Sequence, residues 1–286
     1  MDRIVLSHYQ IEPVLAQWER SETDEGETIR LSPDLGLSLI SVRLTPHGIL
    51  FPDGALLSWE DAQSIADAEN NCFSLDQDGD LQKIMNFSEE TNRVYTLMPT
   101  EGAPTMLISG IPMHRIKDTD PYQDTLEKIK ALGSLTGQVL DTATGLGYTA
   151  IEAAKVAEQV TTIELDLAAL EIARQNPWSK ALFRNRKIEQ RIGDSAEEIH
   201  AFDAERFDCI LHDPPAFSLA GQLYSRAFYT DLYRVLAPRG RLFHYIGNPD
   251  SPSGANVTRG VIRRLGEAGF DRIERRPRAF GVVARK

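Results

Sequence analysis

The chain has 286 residues, 42% of them hydrophobic and 26% charged, with a net charge of −11, a globular balance with room for one large domain or two modest ones. That acidity argues against a broad grip on nucleic-acid phosphates, which calls for a basic face, and leaves only a local one open. No apolar run approaches the roughly 18 residues that cross a bilayer, and residues 1–10 lack the basic start and long apolar stretch of a secretory leader.

Residues 1–114 read as a small, β-rich N-terminal domain. Short apolar or alternating runs at 37–44, 47–51 and 93–98 are separated by Pro-His-Gly, Pro-Asp-Gly and Glu-Gly-Ala-Pro, which are turn signals between short strands. One helix is expected among them, opened by Ser58 with Asp61 three residues on, a capping box. Substrate recognition or oligomerisation is the role left to this domain, since no chemistry is legible in it.

Residues 115–286 read differently. Asp120-Pro121-Tyr122-Gln123 is a helix start, with a capping Asp and a Pro at the first helical position. Strands follow at 138–141, 160–164, 188–192, 207–212 and 241–246, with helices at 149–158, 167–175, 196–202 and 222–236 between them. A last helix at 257–268 precedes two closing strands at 270–274 and 280–284. Strands and helices in strict alternation imply βαβ units on a mostly parallel sheet. The fold class is therefore α/β, a Rossmann-like sheet with a smaller β-rich domain before it. The basic clusters, Arg184, Arg186, Lys187 and Arg191, then Arg263, Arg264, Arg272, Arg275, Arg276 and Arg278, read as solvated surface.

The chemistry gathers at the strand ends. Val139 to Thr149 runs Val-Leu-Asp-Thr-Ala-Thr-Gly-Leu-Gly-Tyr-Thr, a strand entering a glycine turn before a helix. Its candidate residues are Asp141, Thr144, Gly145 and Gly147; glycines there let backbone approach a cofactor, although a plain βα turn carries the same letters. Glu164 ends the next strand 23 residues after Asp141, where a carboxylate accepts hydrogen bonds from ribose hydroxyls. Asp194 ends the third strand, where it can meet an adenine amino group or simply cap a helix. Acids ending successive strands lie where ligands bind in open α/β sheets.

These residues resemble the class I S-adenosylmethionine (SAM)-dependent methyltransferases over about residues 118–286. Asp141, Gly145 and Gly147 match the first motif, Glu164 the second and Asp194 the third; Ala143 stands where many members carry another glycine. The fourth strand ends in His212-Asp213-Pro214-Pro215-Ala216-Phe217, similar to the DPPxF motif of amino and RNA methyltransferases. The resemblance implies SAM as cofactor and methyl transfer to a nitrogen of a planar substrate, an RNA base among the candidates. Asp213 and the Pro214 carbonyl would accept hydrogen bonds from the acceptor, with His212 as candidate base. Phe217, Tyr224, His244 and Arg115 are the candidate substrate contacts, with buried core histidine the competing reading of His212 and His244.

No His/Cys spacing suggests a metal. Cys72 and Cys209 are too few for a disulfide framework, so a reduced, cytoplasmic setting is expected. The expected partners are SAM and a methyl acceptor, either RNA or a small molecule, with no membrane and a homodimer left open. Polyamine aminopropyltransferases share the sheet and the N-terminal β domain and are the alternative, but their glycine motif and paired aspartates differ from Thr144-Gly145-Leu146-Gly147 and His212-Asp213. A scaffold without activity is the third reading.

Overall fold

The computed structural model describes residues 3–20, 26–217, 219–249, 251 and 254–286. Two compact units are present: residues 1–122 with 168–180, and residues 123–167 with 181–286.

The first unit is built from short antiparallel strands. Thr28–Leu31, Ile40–Thr45, Gly48–Leu50 and Leu56–Ser58 form a four-stranded meander, and Met85–Ser88, Arg93–Met98, Thr105–Ile108 and Ile111–Pro112 form another. Ile4–Leu6 pairs with Phe73–Leu75, which pairs with Leu81–Lys83. The helix Trp59–Ala66 starts as its capping box dictates: Ser58 Oγ accepts from the Asp61 N–H at 3.0 Å. A second helix, His8–Arg20, was not expected from the sequence. It carries Pro13 inside and buries only Ile11 and Val14, too sparse an apolar stripe to stand out as helical periodicity. Both helices pack on a core of Leu44, Ile49, Phe51 and Leu57. The segment Ala168–Lys180 clusters with this unit, where Trp178 Nε1 donates to the Leu35 carbonyl at 3.1 Å.

The second unit holds a seven-stranded sheet. In chain order its strands are β1 (Gln138–Asp141), β2 (Gln159–Glu164), β3 (Ile188–Ile192), β4 (Phe207–His212), β5 (Leu236–Tyr245), β6 (Asp271–Arg276) and β7 (Gly281–Arg285). They lie in the order 3-2-1-4-5-7-6, parallel except for β7, which runs antiparallel to both of its neighbours. The order reverses at β1, so a crevice opens between the chains leaving β1 and β4 at their carboxyl ends. Residues 160–163 of β2, Val-Thr-Thr-Ile, are all buried, as befits a strand covered on both faces. β5 starts earlier than expected because pairing with β4 continues across an irregularity between Phe207 and Cys209.

Helix α1 (Pro121–Leu132) leads into β1, α2 (Tyr148–Ala154) follows it, and α3 (Arg226–Val235) precedes β5. Asp120 Oδ1 accepts from the Tyr122 N–H at 2.8 Å, as the Asp-Pro start requires. Ser225 Oγ caps α3 through the Phe228 N–H at 3.1 Å. Phe228, Tyr229, Leu232 and Val235 form the buried face of α3 and join Leu140, Ile210 and Leu242 of the sheet in one core.

Candidate functional site

The glycine turn leaves β1 at Asp141, which is fully buried. Its Oδ2 accepts from Thr149 Oγ1 at 2.9 Å and from Thr162 Oγ1 at 3.3 Å. Burial, with a smaller push from the nearby Asp213, raises its pKa to about 7 against those hydrogen bonds. Asp141 thus ties the turn to α2 and β2. Thr144 is buried too, its hydroxyl 2.7 Å from that of Thr162.

Glu164 projects from the end of β2 across the same turn. Its Oε2 accepts from the Gly145 N–H at 2.8 Å and its Oε1 from the Asp166 N–H at 3.2 Å. The two glycines serve different ends. Gly145 has φ +50° and open space where a Cβ would point. Gly147 has φ +77°, and a Cβ there would lie 2.6 Å from the Leu182 side chain, so packing requires it. Asp194, after β3, caps a short helix through the Ala196 N–H at 2.8 Å, which is the competing role the sequence allowed.

At the end of β4 the chain turns through the two prolines. His212 is buried, with Nδ1 2.7 Å from Thr142 Oγ1 and Nε2 3.0 Å from the Leu223 carbonyl. Burial lowers its pKa to about 3, against the pull of that carbonyl. A neutral ring with both nitrogens engaged braces the β1 and β4 exits. His244, beside it in register on β5, is buried with Nε2 2.7 Å from Tyr229 Oη, and burial likewise holds it neutral. Tyr224 is buried and donates to the Pro215 carbonyl at 3.1 Å. Phe217 is 58% exposed and sits edge-on to Tyr224 with ring centroids 5.5 Å apart. Pro214 is buried, while the Asp213 side chain keeps 17% exposure. Arg115 belongs to the first unit.

Lys128, which the sequence reading passed over, is the residue that meets Asp213. Its Nζ lies 2.6 Å from Asp213 Oδ2 and 2.8 Å from Asp124 Oδ2, with 1% of the side chain exposed. The Tyr245 ring stands over the ammonium, 4.5 Å from centroid to Nζ. Burial disfavours the charge, but the two carboxylates outweigh it and raise the Lys128 pKa. The only sequence signal was the i,i+4 spacing of Asp124 and Lys128, which ordinarily marks a solvated helix face. Among the described residues no group of three or more His, Cys, Asp or Glu is placed to hold a metal, and no helix is long and apolar enough to cross a membrane.

The arrangement suits SAM. Glu164 and the open space at Gly145 flank one side of the turn, and the Asp213-Pro214 exit faces the same strand ends from β4.

Residues 123–250 match the methyltransferase small domain family. The uncharacterized protein MJ1233 of Methanocaldococcus jannaschii is 45% identical over 238 residues, which are 82% of this chain and 80% of the relative. More distant are polyamine aminopropyltransferase 2 of Streptomyces coelicolor, 28% identical over 53% of this chain and 29% of its own, and putrescine N-methyltransferase 2 of Nicotiana tabacum, 26% identical over 56% and 44%. The chain therefore spans less than half the length of either. Among solved structures, a spermidine synthase bound to the transition-state analogue AdoDATO superposes with a TM-score of 0.56 at 21% identity, covering 68% of this chain and 70% of that one, a likeness of fold.

Proposed function

The chain belongs to the same family as the Methanocaldococcus jannaschii protein and is an enzyme of the class I SAM-dependent methyltransferase type; on that premise we propose that it transfers a methyl group to a nitrogen of a planar acceptor held at Asp213 and Pro214. The observation that carries this reading is the placement of Asp213. It is a partly exposed carboxylate fixed by two prolines at the β4 exit, beside the turn that Glu164 and Gly145 frame.

Glu164 would accept the ribose hydroxyls and Asp194 the adenine amino group, while Asp141, Thr144, Gly145 and Gly147 shape the turn for the methionine part. Bound SAM supplies an electrophilic methyl on a positive sulfonium. The protein's own work is alignment, which needs no metal. Asp213 and the Pro214 carbonyl would accept the acceptor's N–H bonds and hold its lone pair on the line of transfer. Phe217 offers an exposed ring for stacking on a flat acceptor. His212 and His244, buried and neutral, suit bracing better than proton transfer. RNA and small molecules are both acceptors to be tried.

Calorimetry with SAM, decarboxylated SAM and NAD tests the reading. Preference for SAM supports it, whereas preference for decarboxylated SAM would move the chain to aminopropyl transfer. Labelled SAM incubated with cell RNA and with a small-molecule extract then identifies the acceptor fraction.

A further inference from the structure

An alkylammonium group is recognised by carboxylates at hydrogen-bonding distance and an aromatic face at about 4–6 Å. Two carboxylates, Asp213 and Asp124, and the Tyr245 ring meet in this way, and the group they enclose is the chain's own Lys128. The ammonium is anchored on α1, one helical turn after Asp124, and is closed off from solvent. A carboxylate accepts several hydrogen bonds, so Asp213, which keeps 17% exposure, can serve Lys128 on one oxygen and an acceptor N–H on the other. With Lys128 in place the two carboxylates and the ammonium sum to one negative charge, against two without it, so Lys128 removes half of the attraction a second cation would find and stands as a like charge across Asp213, where screening is poor.

We propose that Lys128 is a specificity-determining residue: it fills the cation position beside Asp213, so that the site takes an uncharged nitrogen as acceptor and excludes the ammonium groups of polyamines. This deepens the methyltransferase reading above and rests on it.

The test uses the full chain, saturated with S-adenosylhomocysteine and titrated with putrescine and spermidine by calorimetry. The wild type is expected to show no saturable binding at millimolar amine. Saturable putrescine binding that Asp213→Asn abolishes would overturn the proposal. In Lys128→Ala the emptied cage should accept n-propylammonium, seen as a rise in melting temperature that the wild type lacks. A folded Lys128→Ala protein that gains nothing from propylammonium would also overturn it. Where Lys128→Ala does not fold, the wild-type titration decides by itself. Failure of the wild type to bind SAM would instead count against the methyltransferase reading, because the propylammonium response does not depend on SAM.

Discussion

Glu164 shows how far one residue can be read. Its place at the end of a strand, 23 residues after Asp141, is the ground for expecting it to bind ribose, and in the structure its carboxylate lies at the glycine turn, accepting the Gly145 N–H. Glu164→Ala should weaken SAM binding by about 1–3 kcal/mol, the range for losing charge-assisted hydrogen bonds, measurable by calorimetry. Asp213→Ala should behave oppositely, leaving SAM affinity nearly unchanged while turnover falls steeply, if it holds the acceptor as proposed. Equal methyl labelling by this variant and the wild type would remove Asp213 from the chemistry. The glycines separate in the same way. Gly147→Ala should cost stability, about 1–3 kcal/mol by denaturation, because its Cβ meets Leu182 at a positive φ. Gly145→Ala puts its Cβ in open space at a φ of +50°, so a loss of SAM binding larger than the accompanying loss of stability would report the cofactor itself.

On the scale of the element, α1 explains why Lys128 was not legible. Pro121, Asp124, Thr125, Lys128 and Leu132 are its buried residues, at the i, i+3, i+4, i+7 spacing of a core-facing stripe. Three of the five are polar or charged, so a hydropathy pattern assigns them to the solvent side. Only the arrival of Asp213 from β4, 85 residues on, and Tyr245 from β5 turns that stripe inward. Lys128→Met should therefore destabilise the protein by about 3–5 kcal/mol, the cost of leaving buried carboxylates without their cation, and chemical denaturation would measure it. Lys128→Met in an Asp124→Asn background should lose less, because one of the orphaned charges is gone. By contrast α3 was legible from its apolar face, although it was expected over 222–236 and starts only at Arg226, where Ser225 caps it after a separate turn at Gly221–Tyr224.

For the molecule as a whole, the two buried histidines set an acid limit. His212 has a folded pKa of about 3 against 6.5 for the free side chain. Between those values the unfolded chain binds a proton that the native state refuses, so stability is intact above pH 6.5 and is lost as pH falls. His212→Gln, which keeps one donor and one acceptor, should flatten that slope by roughly 1.4 kcal/mol per pH unit, visible in melting curves taken between pH 4 and 6.5. Asp141, with its pKa raised to about 7, works in the reverse sense: its contribution is present at low pH and is lost as pH rises to neutrality, which makes the single-residue comparison necessary.

The alternation of strands and helices, the parallel sheet and the positions of Asp141, Glu164 and Asp213 were determined by the sequence alone, because strand ends and glycine turns are local features with a fixed period and spacing. Helix His8–Arg20 escaped because Pro13 and its sparse apolar residues weaken the same periodic signal. Tertiary structure alone decided that the segment Ala168–Lys180, read as part of the second domain, clusters with the first unit. It also decided that Asp194 caps a helix, that His212 and His244 are engaged and neutral, and that an internal ammonium meets Asp213. The physical reason is common to all of these. Burial and partnership are properties of groups brought together from distant parts of the chain, and a carboxylate, an imidazole or an ammonium takes its role from whichever groups surround it once water has been removed.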